Sequence, residues 1–117
     1  MTDPEQLTIG LERGAGLYRL TLLGELDIAT TETLQEAFDA ACAEAEPDTI
    51  VVVDLTELEF MDSSGIAALI SISRRLPERL RIVNGSVQVQ RILDLTGVRP
   101  ALPIINKNDD PRAPLPS

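Results

Sequence analysis

The sequence predicts a single α/β domain, a mixed sheet of four to five strands with helices packed mainly on one face. Three observations carry that expectation. The apolar period switches repeatedly between the alternation of strands and the three- and four-residue recurrence of helices. The segments run strand, strand, helix, strand, helix, strand, helix, an order that needs parallel pairing beside one hairpin; right-handed connections would keep the helices on one face. The chain of 117 residues suits one hydrophobic core. That core is aliphatic, since apolar residues make up 44% of the chain but aromatics only 3%.

The elements follow in order. "LTIGLE" alternates Leu7, Ile9 and Leu11 with smaller or polar residues, and "LYRLTLL" follows after "RGAG", whose glycines suit a tight hairpin connection. In "GELDIATTETLQEAFDAACAEAEP" the period lengthens: Leu34, Ala37, Phe38, Ala41, Cys42 and Ala45 form one helical stripe, with Thr30 or Thr31 as N-cap and Pro47 at the exit. Cys42 lies on that stripe and reads as a core residue. "TIVVVDL", residues 49–55, is a continuous apolar run that suits a central strand covered on both sides. Ile66, Leu69, Ile70 and Leu76 mark a second helix ending in "SRR", bases at its negative pole. "RLRIVN" reads as another strand. Ser86 caps a third helix with apolar positions Val89, Ile92 and Leu93, Gly97 as its stop and Pro100 just beyond. "LPII" adds a short edge strand. Residues 1–106 thus form the domain, and residues 107–117, rich in proline and including Asp109 and Asp110, are expected to be a disordered tail.

Charge narrows the function. The net charge is −9, and residues 1–47 carry ten acids against Arg13 and Arg19. Such a field repels phosphate backbones and anionic lipid, which argues against nucleic-acid binding; it serves either as a solvated face or as a docking surface for a basic partner. No apolar run approaches the roughly 18 residues of a membrane span, and "MTDPEQ" has none of the basic and apolar regions of a signal peptide, so a cytoplasmic protein without membrane insertion is expected. The chain contains no histidine and one cysteine. Ser-His and Cys-His nucleophilic machinery, intramolecular disulfides and thiolate metal clusters are therefore excluded. The single lysine, Lys107, stands at the start of the tail, which argues against a Ser-Lys pair. Asp27, Asp54 and Asp62 are carboxylates without a specific cation-binding pattern, and no Gly-rich phosphate loop is present. Neither a cofactor nor catalysis is expected.

Two motifs remain, "GELD" (residues 24–27) and "MDSSG" (residues 61–65). Each follows a strand and precedes a helix, the position where ligand and docking sites gather in open α/β sheets, so the two are expected side by side. Asp62 or Ser63 can cap the second helix, with Gly65 allowing its first turn to approach a neighbour. A serine hydroxyl at an exposed helix start is equally within reach of a kinase, and a phosphate adds about −1.5 to −2 charges. Residue chemistry leaves both readings open.

In order and spacing, "GELDIATTETLQEAF", "IVVVDLTELEFMDSSGIAALI" and "LRIVNGSVQVQRILDLTGV" resemble the STAS domain of bacterial anti-sigma factor antagonists. The resemblance spans roughly residues 5–106 and implies a STAS-like fold. It implies Ser63 as the phosphorylated residue, with Ser64 the weaker candidate, and Asp27, Thr30, Asp62, Ser63, Ser64 and Gly65 as the partner-binding surface. It also implies a partner switch. The unphosphorylated protein would bind an anti-sigma factor that is also a serine kinase of GHKL type, freeing sigma factor; the phosphorylated protein would let go, and a metal-dependent serine phosphatase would reset it. ATP and any metal belong to those partners, and the chain itself would be a monomer or weak dimer. One departure is "SRRLPERLRIV", which passes from helix to strand with a proline and no glycine, unlike the usual glycine-rich connection, and so implies a shortened or reshaped end to the second helix. A STAS adaptor binding a transporter ATPase or a signalling scaffold is the alternative, and an enzyme is the third class considered.

Overall fold

The computed structural model describes residues 6–115. Strands β1 (Leu7–Gly14) and β2 (Leu17–Leu26) lead into helix α1 (Thr31–Glu44), and strands β3 (Ile50–Asp54) and β4 (Leu58–Met61) into helix α2 (Ser63–Arg75). Strand β5 (Leu80–Val83), helix α3 (Val87–Thr96), a 3-10 turn (Arg99–Ala101) and strand β6 (Ile104–Ile105) complete the domain. The sheet runs β1-β2-β3-β5-β6, with only β1 antiparallel to its neighbour.

The expected α/β class with one hairpin and a central "VVV" strand is what forms, with six strands rather than four to five. The additional strand is β4. Strand β2 is ten residues long and pairs β3 along its first half, Leu17↔Ile50 to Thr21↔Asp54; its second half is left for β4, Gly24↔Leu58 to Leu26↔Met61. The register shifts between Gly24 and Glu25, so Glu59 opposes no partner and β4 shows no clean alternation in sequence. Gly24 itself has φ 109°, and a Cβ there would collide with the Gln6 carbonyl oxygen, so this bend is open to glycine alone.

All three helices cover one face. Leu20, Leu22, Val51, Val53, Leu80 and Ile82 point into a single core with Leu34 and Phe38 of α1, Leu69 and Ile72 of α2, and Val89 and Leu93 of α3. On the opposite face Val52, Val83 and Ile105 form a second cluster, flanked by Leu17, Ile50 and Leu115. Hence β3 is buried on both sides, as its unbroken apolar run requires. Cys42 is half-buried against the main core, and burial pushes its thiol pKa up.

The helix ends follow sequence chemistry with two differences. Ser86 Oγ accepts the Val89 amide and Gly97 closes α3 at φ 67°. Helix α2 ends at Arg75 without a left-handed cap; Leu76 is irregular, and its carbonyl accepts the amides of Arg79 and Leu80. This is the reshaped exit expected from the proline, and Arg75 there pairs with Asp39 and lies 5.0 Å over the Phe38 ring, tying α2 to α1. Thr30 occupies the N-cap position of α1 but makes no side-chain cap bond. Its hydroxyl is committed elsewhere, as described below. After Ile105 the chain has no helix or strand through Leu115, yet Arg112 Nη2 donates to the Ala15 carbonyl at 2.8 Å and Leu115 packs on the second cluster. No helix among the described residues is long and apolar enough to cross a membrane.

Candidate functional site

The two motifs meet because β2 and β4 are parallel neighbours. Leu26 pairs with Met61, and the Asp62 amide donates to the Leu26 carbonyl at 3.2 Å, so Asp27 and Asp62 each begin the chain's departure from adjacent strand ends. Asp62 caps α2, its Oδ1 accepting the amides of Ser64 at 2.9 Å and Gly65 at 3.1 Å. The cap is therefore the aspartate. Ser63 is the first helical residue, exposed, and its hydroxyl makes no hydrogen bond to a described residue; Ser64 is half-buried beside it.

Gly65 sets the depth at which this helix start sits. A Cβ on it would stand 2.7 Å from the Leu26 carbonyl oxygen and 2.8 Å from the Met61 side chain. The first turn of α2 is thus pressed onto the junction of the two strands. Gly65 is buried and offers no side chain to a partner; it places Ser63 and Ser64.

The loop carrying Asp27 is fixed from within. Thr30 Oγ1 accepts the Asp27 amide at 2.9 Å and donates to the Glu25 carbonyl at 2.9 Å, and Thr30 is only 5% exposed. Asp27 Oδ1 in turn accepts the Ala29 amide at 3.0 Å. Of the six residues expected at the site, Asp27, Asp62, Ser63 and Ser64 reach the surface, while Thr30 and Gly65 act from beneath it. Replacing Thr30 with valine keeps its shape but leaves the Asp27 amide and Glu25 carbonyl without that hydroxyl. We expect a loss of about 1–3 kcal/mol in thermal unfolding, with Thr30→Ser close to wild type.

Sequence reasoning missed the groove that adjoins the serines. Ile28, Thr31, Gln35, Ser64, Ala67 and Ala68 line a shallow groove of about 320 Å³ between the starts of α1 and α2. Ile28 is 79% exposed. The available signal was an isoleucine between Asp27 and the helix, outside the apolar stripe of α1. No group of three or more acidic or cysteine side chains among the described residues is arranged to hold a metal ion.

The arrangement presents Ser63, whose hydroxyl makes no hydrogen bond to a described residue, at a helix N-terminus beside Asp62, with Asp27 at the neighbouring strand end and a shallow groove alongside. The STAS domain family model matches residues 10–110. The chain is 29% identical to the anti-sigma-F factor antagonist RsfB of Mycobacterium tuberculosis, over 84% of this chain and 80% of that protein. It is also 29% identical to an anti-sigma F factor antagonist of Paenibacillus polymyxa, over 84% and 86%. The crystal structure of an anti-sigma factor antagonist from Mycobacterium paratuberculosis superposes with a TM-score of 0.78 at 26% identity, covering 95% of both chains. Because the STAS domain model matches residues 10–110, most of its length, the chain belongs to the STAS domain family.

Proposed function

We propose that this protein is an anti-sigma factor antagonist that works as a phosphorylation-controlled partner switch in the cytoplasm. The observation that carries the reading is Ser63: exposed, first in its helix, its hydroxyl making no hydrogen bond to a described residue while Asp62 supplies the cap. The antagonist names of the relatives support the class of partner. Unphosphorylated, the surface of Asp27, Asp62, Ser63, Ser64 and Ile28 docks an anti-sigma factor that is also a serine kinase of GHKL type. The kinase brings ATP and its metal ion. Transfer of the γ-phosphoryl group to Ser63 Oγ then places about two negative charges inside the interface.

The new charge is tolerated by this chain but not by the complex. At the N-terminus of α2 the phosphate faces the positive end of the helix dipole, so the fold survives its addition. A partner that buries it beside Asp62 must desolvate it without a matching cation, and the pair separates. A metal-dependent serine phosphatase restores the hydroxyl. The protein supplies no catalysis of its own in this cycle.

The test is intact-mass measurement after incubation with ATP and the candidate kinase. The wild type is expected to gain one phosphoryl group and Ser63→Ala none. A wild type that gains nothing removes the switch and leaves the adaptor reading; a Ser63→Ala protein that still gains the group transfers the role to another serine, Ser64 first.

A further inference from the structure

Among the described residues, the sheet face opposite the helices is covered at one end and bare at the other. At the covered end Leu115 packs with Leu17 and Ile50 against Val52, Val83 and Ile105. The Arg19–Asp54 ion pair, 2.8 Å long, borders this region, and Asp54 Oδ1 also accepts the amide and hydroxyl of Thr56. Beyond that pair stand Leu23 on β2 and Phe60 on β4, 40% and 45% exposed. Their side chains alternate outward from the buried Leu22, Leu26 and Met61. Glu25 joins them on this face, because it is the register partner of Phe60.

The segments that carry the patch are acidic, and Arg19 at its border is paired with Asp54. From Leu20 to Ser73 the chain holds twelve acids and no lysine or arginine. Glu25, Glu57 and Glu59 are exposed around Leu23 and Phe60, and Asp27 and Asp62 end the same two strands. A second copy of this chain, with its net charge of −9, would bring like charge onto the face, and nucleic acid or anionic lipid would do the same. A cationic protein segment is the complementary occupant.

We infer that the face formed by Leu23, Glu25 and Phe60 is a docking surface for a basic segment of a protein partner. The segment seats an apolar side chain between Leu23 and Phe60, and flanking lysines or arginines reach Glu25, Glu57 and Glu59. The patch is continuous with the start of α2, since Phe60, Met61, Asp62 and Ser63 are consecutive. One partner can therefore hold both surfaces at once. Assigning the patch to the kinase rests on the proposed function; the charge and apolar complementarity of the patch do not.

The test uses the full chain, isotopically labelled for amide NMR, and two short synthetic peptides. In one, lysines flank a central Leu-Phe pair; in the other that pair is replaced by two serines. The first peptide is expected to shift the amides of Leu23, Glu25 and Phe60, and to bind at least about tenfold more tightly than the second. The double variant Leu23→Thr with Phe60→Ser should bind the first peptide no better than the second, with its cooperative melting retained. If that variant does not fold, Glu25→Lys replaces it and should weaken the same binding about tenfold. Shifts confined to the acidic surface of α1 at Glu32, Glu36 and Asp39, or equal binding of the two peptides, overturn the proposal. The phosphorylation assay is read separately: loss of the mass gain with peptide seating intact sinks the switch alone, and the converse sinks the patch alone.

Discussion

Protein phosphorylated at Ser63 is expected to bind its anti-sigma partner at least about a hundredfold more weakly than the unmodified protein, a change of about 2.7 kcal/mol. Magnitude follows from placement. A single buried, unmatched charge costs several kcal/mol, and reversing occupancy from mostly bound to mostly free needs a differential of that order. Ser63→Asp, with one charge on a shorter side chain, should fall between the two states, and Ser63→Ala should bind as the unmodified protein does. The measurement is titration calorimetry of each form against the partner. Equal affinity of phosphorylated and unmodified protein would falsify the repulsion mechanism, even if the mass assay had placed the phosphate on Ser63.

The second large effect is predicted at Gly65. Gly65→Val is expected to lower stability by about 3 kcal/mol, the upper end of the range for overpacking, and the melting temperature by about 10 °C. The reason is the nature of the obstacle. The atom nearest to an added Cβ is the Leu26 carbonyl oxygen at 2.7 Å, and that oxygen also accepts the Asp62 amide. It belongs to backbone that holds β2 against β4, so it cannot swing away as a flexible side chain would. Moving α2 outward instead would weaken the cap and displace Ser63. The variant that folds is therefore expected to bind the partner more weakly as well. Ala67→Ser, an exposed change two residues along the same helix, serves as the control and should melt within about 2 °C of wild type. A Gly65→Val protein that melts as the control does would show that the close approach at the strand junction exerts no constraint.

Much of this was legible in the residues. The unbroken "VVV" run announced a strand buried on both faces, the stripe from Leu34 to Ala41 gave α1 its inward side, and Ser86 with Gly97 bounded α3 by local chemistry alone. Capping, turn preference and hydrophobic period act over a few residues, so sequence is sufficient to express them. The pairing of "GELD" with "MDSSG" was also foreseeable, because both follow strands and precede helices.

The rest was settled by contacts between segments distant in sequence. Strand β4 has four residues and a shifted register, and it exists because β2 is long enough to continue past β3 and offer it an edge. Thr30 looked like a cap from its neighbours; the hydroxyl instead closes the Asp27 loop, since the Glu25 carbonyl and Asp27 amide lie within 2.9 Å of it. Phe60 is left half outside by the packed sheet, which its sequence neighbours do not reveal. The sequence by itself determined the α/β class and the buried faces of the helices, matters of local period, while the candidate serine followed from the resemblance of its motifs to the STAS family. Tertiary structure alone decided that Asp62 rather than Ser63 spends its side chain on the cap, because that choice depends on where the end of β4 delivers the chain against Leu26, and so left the Ser63 hydroxyl without a partner among the described residues.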